Sequence, residues 1–341
     1  MRNRRRIVAA LSVLGALHLA ILLAGFVAPY SPASQNRDFP FAPPTRIHFV
    51  NSHGHVHLLQ PFIYEWRIRP DSFNEYEEDR DREYPLRFFW QGSEYKLAGL
   101  LRSHIHLFEV EGSAHIFLAG TDAYGRDQFS RILYGGQVSL AAGLLAMGIS
   151  LFLGLIVGCV SGFYGRWIDE SAMRLVELFL VLPWLYFLLA VRSFLPLHIS
   201  PTQTFFLLVA VIGTIGWARP ARLIRGVVLS AKTRKYVIAS RGFGASDSYI
   251  LRRHVLPQTY GILLTQAALL VPQYVVAEVT LSFLGLGLSE PAPSWGNLLS
   301  NLQQYNVLVS YWWMFAPALA LVIVSLGYLQ LANVVHELQS G

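Results

Sequence analysis

Charge is scarce in this sequence. Only 14% of its 341 residues are Asp, Glu, Lys or Arg, against 53% hydrophobic residues, and the mean hydropathy is +0.40. A soluble domain carries about 25% charged residues, so the composition is that of an integral membrane protein. Cysteine is almost absent. Cys159 stands alone inside an apolar run, which excludes a disulfide or a cysteine-based metal site within one chain. The G-x-x-x-x-G-K-[ST] run that cradles nucleotide phosphates is missing, and so are G-x-S-x-G and H-E-x-x-H. The apolar runs hold one histidine, His18, and no Asp/Asp pair, which argues against an intramembrane hydrolase. No segment between the inward-facing ends is long enough for a signalling domain, which argues against a receptor. Lys and Arg are also missing from 196–203 and 286–310.

Six apolar runs are present, at 7–28, 138–163, 175–195, 204–218, 259–285 and 311–333. Each is near the ~20 residues that a helical span needs, the fourth with help from its flanks. The first follows Arg2, Arg4, Arg5 and Arg6. Its length exceeds that of a signal-peptide core, so it reads as a first span entering from the cytoplasm. Lys and Arg set the orientation. Arg166 and Arg174 mark the loop at 163–174, and nine basic residues mark 219–257. With the N-terminus inside, every short basic loop falls inside and every short loop without Lys or Arg falls outside. Both termini are then cytoplasmic. The formal charge of +6 is explained by this topology and needs no nucleic acid.

Residues 31–119 differ in kind. Fourteen of the 21 acidic residues lie at 30–136, with 11 of the 27 basic ones. Alternating runs such as LRFFW at 86–90 and HIHLFEV at 104–110 are separated by turn residues, the pattern of a small β-rich insert outside the membrane. His53, His55 and His57 alternate, as do His104 and His106. Imidazoles on one strand face suit zinc, copper or nickel, but solvent-facing strand histidines account for the spacing as simply, and no metal site is assigned. Gly154, Gly158 and Gly162 recur every four residues, a spacing that lets two helices approach closely.

The most informative stretch is 235–257, KYVIASRGFGASDSYILRRHVLP. Its Arg and Lys residues forbid a span. Ile238, Ala239 and Phe243 give a small apolar face, and Gly244 is a helix stop. Ser246, followed by Asp247, caps a second short helix whose apolar side is Ile250, Leu251 and Val255. Pro257 stands where a further helix could begin. Two short helices at an angle on the cytoplasmic side fit a groove in a soluble partner or rest on anionic headgroups. Within the following span, Gln266, Gln273 and Glu278 are candidates to line a path across the membrane, because ionisable and amide groups there are costly. Glu278 at the interface and Gln266 bonded to a neighbouring helix are the alternatives.

The same stretch resembles the EAA loop of binding-protein-dependent ABC-transporter permeases. That motif reads Glu-Ala-Ala, three residues, Gly, nine residues, Ile, any residue, Leu, Pro. Here the positions are Ile238, Ala239, Ser240, Gly244, His254, Leu256 and Pro257. The spacing is kept, the Glu is replaced by Ile238 and the Ile by His254. Three further stretches are similar to the dipeptide/oligopeptide branch: GTDAYGRDQFSRILYGGQVSL at 120–140, GFYGRWIDESAMRLVELFLVLP at 162–183 and EVTLSFLGLGLSEPAPSWGNLL at 278–299.

The resemblance implies an all-α polytopic fold of six transmembrane helices, the type I importer permease fold, carrying the β-rich insert after the first helix. It divides the chain into 1–30, the insert 31–119, and the permease domain 120–341 with its coupling loop 235–257. It implies a bacterial inner-membrane subunit that is no enzyme and binds no cofactor. Its partners would be a second homologous permease subunit, two ATP-binding subunits holding ATP and Mg, an extracytoplasmic substrate-binding protein and membrane lipid. Coupling to the ATPase would fall to Ile238, Ala239, Ser240, Arg241, Phe243, Gly244, His254, Leu256 and Pro257. The cargo implied is a dipeptide or oligopeptide. Nickel, glutathione, a sugar-like solute and an antibiotic peptide are the alternatives for a permease of this type.

Overall fold

The structure is a computed structural model that describes residues 2–50, 56–57, 60–69, 75–97, 101–112, 114–193 and 200–340. It divides into two compact units, one of Met1–Leu14, Leu140–Glu278 and Val324–Gly341, the other of Gly15–Ser139 and Val279–Ile323.

The chain opens with helix α1 (Arg2–Leu22) and the short α2 (Ala24–Val27). Three strands follow: β1 (Phe62–Ile68), β2 (Tyr76–Leu97) and β3 (Leu101–Val110), in the order β1-β2-β3 with antiparallel pairing. The first part of the 22-residue β2 pairs with β1, up to Pro85 opposite Phe62. From Leu86, opposite Val110, β2 pairs with β3. Proline offers no N–H to a ladder, so the hand-over falls where a donor is missing. Ile63, Tyr84, Leu86, Phe108, Val110, Ala114 and Ile116 form the apolar core of this part.

Helix α3 (Gln128–Tyr164) comes next, and Gly165 at φ +67° turns the chain into α4 (Arg166–Val181). Leu182 is extended at ψ 124°, as steric contact with the following Pro183 requires, and the chain resumes as α5 (Trp184–Ser193). Helices α6 (Pro201–Gly216) and α7 (Ala218–Lys232) meet at a 41° bend. Then come α8 (Lys235–Gly242), α9 (Asp247–Ile250) and α10 (Leu256–Phe283). The last helices are α11 (Trp295–Ser300), α12 (Tyr305–Ser310) and α13 (Ala316–Ser340).

The expected span count is met in part, and one expectation needs correction. Among the described residues, three helical stretches are long and apolar enough to cross a membrane: Gln128–Tyr164, Asp247–Phe283 and Trp312–Val335. The bent α6–α7 pair makes four. The run at 175–195 is broken at Leu182–Pro183, and the apolar part of the first helix, Leu11–Leu22, is short. The break expected before Pro257 is absent, because α9, residues 251–255 and α10 run on as one helical stretch, Asp247–Phe283. Residues 251–255 form a π-turn that joins α9 to α10, with the Leu256 N–H bonding the Leu251 carbonyl five residues back. A proline leaves one backbone acceptor of the preceding turn without its donor, and a widened turn at that point re-pairs the ladder.

Candidate functional site

The 235–257 element is built from its helix ends. At the end of α8 the Gly244 N–H bonds the Arg241 carbonyl at 3.0 Å, and the Ala245 N–H bonds the Ser240 carbonyl at 3.1 Å. These paired bonds close a Schellman turn, which places Gly244 in the left-handed region; its φ is +82°. Ser246 Oγ then accepts the Tyr249 N–H at 3.4 Å and caps α9. The helices are tied side to side as well. Ser240 Oγ lies 3.1 Å from His254 Nε2, and the His254 ring sits between Tyr236 and Tyr249, centroids 5.7 and 5.8 Å away. An exposed Arg241–Asp247 pair at 3.1 Å adds little to this.

The element has two faces. Val237, Ile250 and Val255 are buried with Cys159, Phe163, Ile224, Val228 and Ala231. Ile238, Ala239 and Phe243 face the other way and are exposed, Phe243 to 93%. A phenylalanine held in water by a hydrogen-bonded turn is an apolar patch ready to be covered. Leu256 is half-buried, and Pro257 is exposed.

The platform beneath this element is a close helix crossing. A Cβ added to Gly158 would lie 2.6 Å from the Ala221 carbonyl oxygen and 2.9 Å from Ile224 Cβ. At Gly154 it would meet Pro220 Cβ at 2.8 Å, and at Gly162 Val228 Cβ at 2.9 Å. The glycine ladder of α3 is therefore the seat of α7. Asp169 on α4 accepts two bonds from Arg225 on α7, one at 2.6 Å, and these bonds hold its pKa below the usual carboxylate range. Lys232 Nζ bonds the Gly162 carbonyl at 2.8 Å, a cation on the last turns of α3.

Above the α6–α7 bend lies a cavity of about 650 Å³, with walls that include Phe179, Trp184, Ile212, Pro272, Tyr274 and Leu329. Gln273 and Arg219 bring its polar character. Of the three path candidates, only Gln273 lines it. Gln266 and Glu278 are buried in α10 away from that wall. Arg219 and Tyr274 were not legible as lining residues, because their part in the cavity depends on the bend at Gly216–Ala218.

In the other unit, two of the family-like stretches meet in an ion cluster that sequence reading missed. Fully buried Arg131 bonds Asp122 and Glu290, both at 2.7 Å, and Arg126 bonds the same two carboxylates at 2.7 Å. Burial raises the Glu290 pKa, but the two arginines outweigh it and hold it below normal. Beside them, burial pushes Asp127 up to about 6, against the lowering by the Ser130 hydroxyl and N–H. Trp295 seals the region. It is fully buried and donates to the Ile132 carbonyl at 2.9 Å. The matching charges in DAYGRDQFSR and SEP were the available signal.

Of the alternating histidines, His53 and His55 lie outside the described residues. His104 is exposed and His106 is buried, its ring nitrogens 2.6 Å from the Ala28 carbonyl oxygen and 2.9 Å from that of Ser93. Its polar atoms are thus engaged by backbone. Among the described residues no cluster of three His, Cys, Asp or Glu side chains could hold a metal.

These features define a polytopic helical membrane protein with an exposed apolar knob on a rigid bundle. Residues 150–338, more than half of the chain, match the family described as binding-protein-dependent transport system inner membrane component. The chain belongs to that family. It is 38% identical over 213 residues to a peptide permease protein of Brucella suis biovar 1, covering 62% of this chain and 68% of that one. It is 38% identical over 200 residues to the dipeptide transport system permease protein DppC of Bacillus subtilis, covering 58% and 60%. To the oligopeptide transport system permease protein OppC of Haemophilus influenzae it is 36% identical over 209 residues, covering 61% and 64%. The chain is thus a multi-pass inner-membrane component of a binding-protein-dependent transport system, similar to proteins named as peptide permeases.

Proposed function

We propose that this chain is the permease subunit of an ATP-driven importer of dipeptides or oligopeptides, forming half of the translocation path. The observation that carries the reading is the exposed Ile238–Ala239–Phe243 face of α8, fixed at an angle to α9 by the Gly244 turn over a buried core. A separate ATPase subunit, holding ATP and Mg, would cover this face. Two such subunits, a second permease and an external binding protein complete the proposed assembly; membership of the binding-protein-dependent family supports the ATPase and the binding protein. Motion of the ATPases would move α8 and α9, and through the α3–α7 platform the cavity beside Gln273 would be opened to one side or the other. In this reading the chain spans the membrane six times with both termini in the cytoplasm. The run at 175–195 crosses as a broken helix and the first run as α1 with α2.

The assembled complex, in vesicles loaded with ATP on the ATPase side, is expected to accumulate a radiolabelled dipeptide, with tripeptides competing and nickel or glutathione failing to compete. Competition by nickel or glutathione alone would reassign the cargo. In the same vesicles, with Cys159 replaced by Ser, single cysteines at Ser200 and Tyr305 should react with a membrane-impermeant label from outside. A cysteine at Ser230 should not, and its labelling from outside would overturn the six-span topology.

A further inference from the structure

The sheet carries an aromatic ridge that transport leaves unexplained. Phe88, Phe89 and Trp90 are consecutive on β2 and exposed to 55%, 68% and 44%, and Ile105 on β3 is exposed to 43%. Successive strand residues ordinarily point to opposite faces. The pairing register runs on unshifted, with Phe88 opposite Phe108 and Trp90 opposite His106, yet Phe89 has φ +54°, a conformation costly for a bulky side chain. An observed strain of this kind points towards function.

The place of the ridge is fixed by contacts with the end of the first helix. The Phe89 ring lies 6.0 Å from that of Phe26. The Tyr95 ring packs on Gly25, where a Cβ would stand 2.2 Å from it, and buried His106 holds the Ala28 carbonyl. The depth of that helix end can also be read. Gln137 Nε2 donates to the Ile21 carbonyl at 2.9 Å, and the long apolar run of α3 begins at the next residue, Val138. Ile21 is therefore level with the edge of the hydrocarbon. Phe26 follows five residues on, across the helix break at Leu23, a distance on the order of 7 Å at 1.5 Å per residue. The headgroup layer on each side is itself about 5–8 Å deep. Leu19 and Leu22, both 56% exposed, continue the apolar surface down α1.

Charge is distributed to match. The other end of the sheet carries Glu75, Glu77, Glu78, Asp79, Asp81 and Glu83 against Arg80, Arg82 and, on the β1 side, Arg67 and Arg69, Arg69 being paired with Glu75 and Glu77. At the ridge Arg87 lies over the Trp90 ring, 5.5 Å from its centroid. An aromatic group with a nearby Arg is the usual content of a membrane–water interface, whereas an acidic surface is repelled by anionic lipid.

We propose that Phe88, Phe89 and Trp90 are seated in the lipid headgroup layer beside the first helix, so that the sheet is a membrane-anchored platform with its acidic end towards water. This inference concerns the insert alone and does not depend on the cargo or on the coupling face.

The test uses the full-length chain with its co-purifying subunits in nanodiscs of phosphatidylethanolamine and phosphatidylglycerol, with Cys159 replaced by Ser. Nitroxide labels are placed on Phe89→Cys, on Ile105→Cys as a site free of positive φ, and on Arg80→Cys at the acidic end. Accessibility to oxygen, which partitions into lipid, is compared with accessibility to a water-soluble nickel chelate. The oxygen-to-nickel ratio should be severalfold higher at 89 and 105 than at 80. Equal ratios at the three sites would overturn the proposal. So would a ratio at 89 and 105 that rises only after the external binding protein is added, because the ridge would then be a protein contact.

Discussion

Replacing Gly244 by Val should abolish ATP-driven uptake while leaving the chain in the membrane with its partners. The residue stands at φ +82°, and a Cβ there would meet nothing within 4 Å. The cost is therefore one of backbone conformation, not of space. A β-branched residue held in the left-handed region costs about 1–3 kcal/mol. The helix end can relieve that cost by giving up the Gly244–Arg241 and Ala245–Ser240 hydrogen bonds. Ile238 and Phe243 would then lose their fixed angle to α9, and the face that the ATPase is proposed to grip would no longer be one surface. The core beneath, with Val237, Ile250 and Val255, is not touched, so insertion and α3–α7 packing survive. Arg241→Ala should be mild, because its partner Asp247 is as exposed as it is. Uptake and ATP hydrolysis measured together on the purified complex decide the matter. Normal uptake with normal subunit association would show that 235–257 is not the coupling element.

The largest loss of stability is expected from Gly158→Leu. The α3–α7 crossing leaves no room for even one carbon at this position, since its neighbours at 2.6 and 2.9 Å include backbone. Overpacking of this kind costs about 1–3 kcal/mol when side chains can move aside, and more when a helix must shift as a body. Here α7 also carries Arg225 and Lys232, bonded to Asp169 and the Gly162 carbonyl. Displacing α7 therefore strains those bonds as well. Gly148→Leu is the control on the same helix, because a Cβ at Gly148 would meet nothing within 4 Å. Membrane yield and thermal melting in detergent should fall sharply for Gly158→Leu and hardly for Gly148→Leu. Equal behaviour of the two variants would remove the close crossing as the platform of the bundle.

What could be read without coordinates were the features that depend on local chemistry. Gly244 was legible as a stop because only glycine occupies the left-handed region freely, and Ser246 was legible as a cap because its side chain reaches its own helix. The glycine ladder at 154, 158 and 162 announced a close approach, and scarce charge announced the membrane. The identity of the approaching helix was not legible. Residues 218–232 are some sixty positions away, and only packing brings Ala221 and Ile224 onto the ladder. The continuous helix through Pro257 was hidden as well. Proline usually marks an end, and the π-turn that absorbs it follows from the backbone bonding around it.

Longer-range pairings were decided by tertiary structure alone. Arg131 and Glu290 are 159 residues apart, and their opposite charges have no periodicity that could pair them in advance. Gln266, Gln273 and Glu278 were equivalent as polar interruptions of one apolar run, and only the packing around the bend between α6 and α7 puts Gln273, and not the other two, on the wall of this cavity. The aromatic ridge shows the same division. The alternation of LRFFW named a strand, but a strand pattern assigns Phe88 and Phe89 to opposite faces. The positive φ of Phe89 and its contact with Phe26 set where that strand stands, because a side chain's surroundings are fixed by what packs against it and not by its neighbours in sequence.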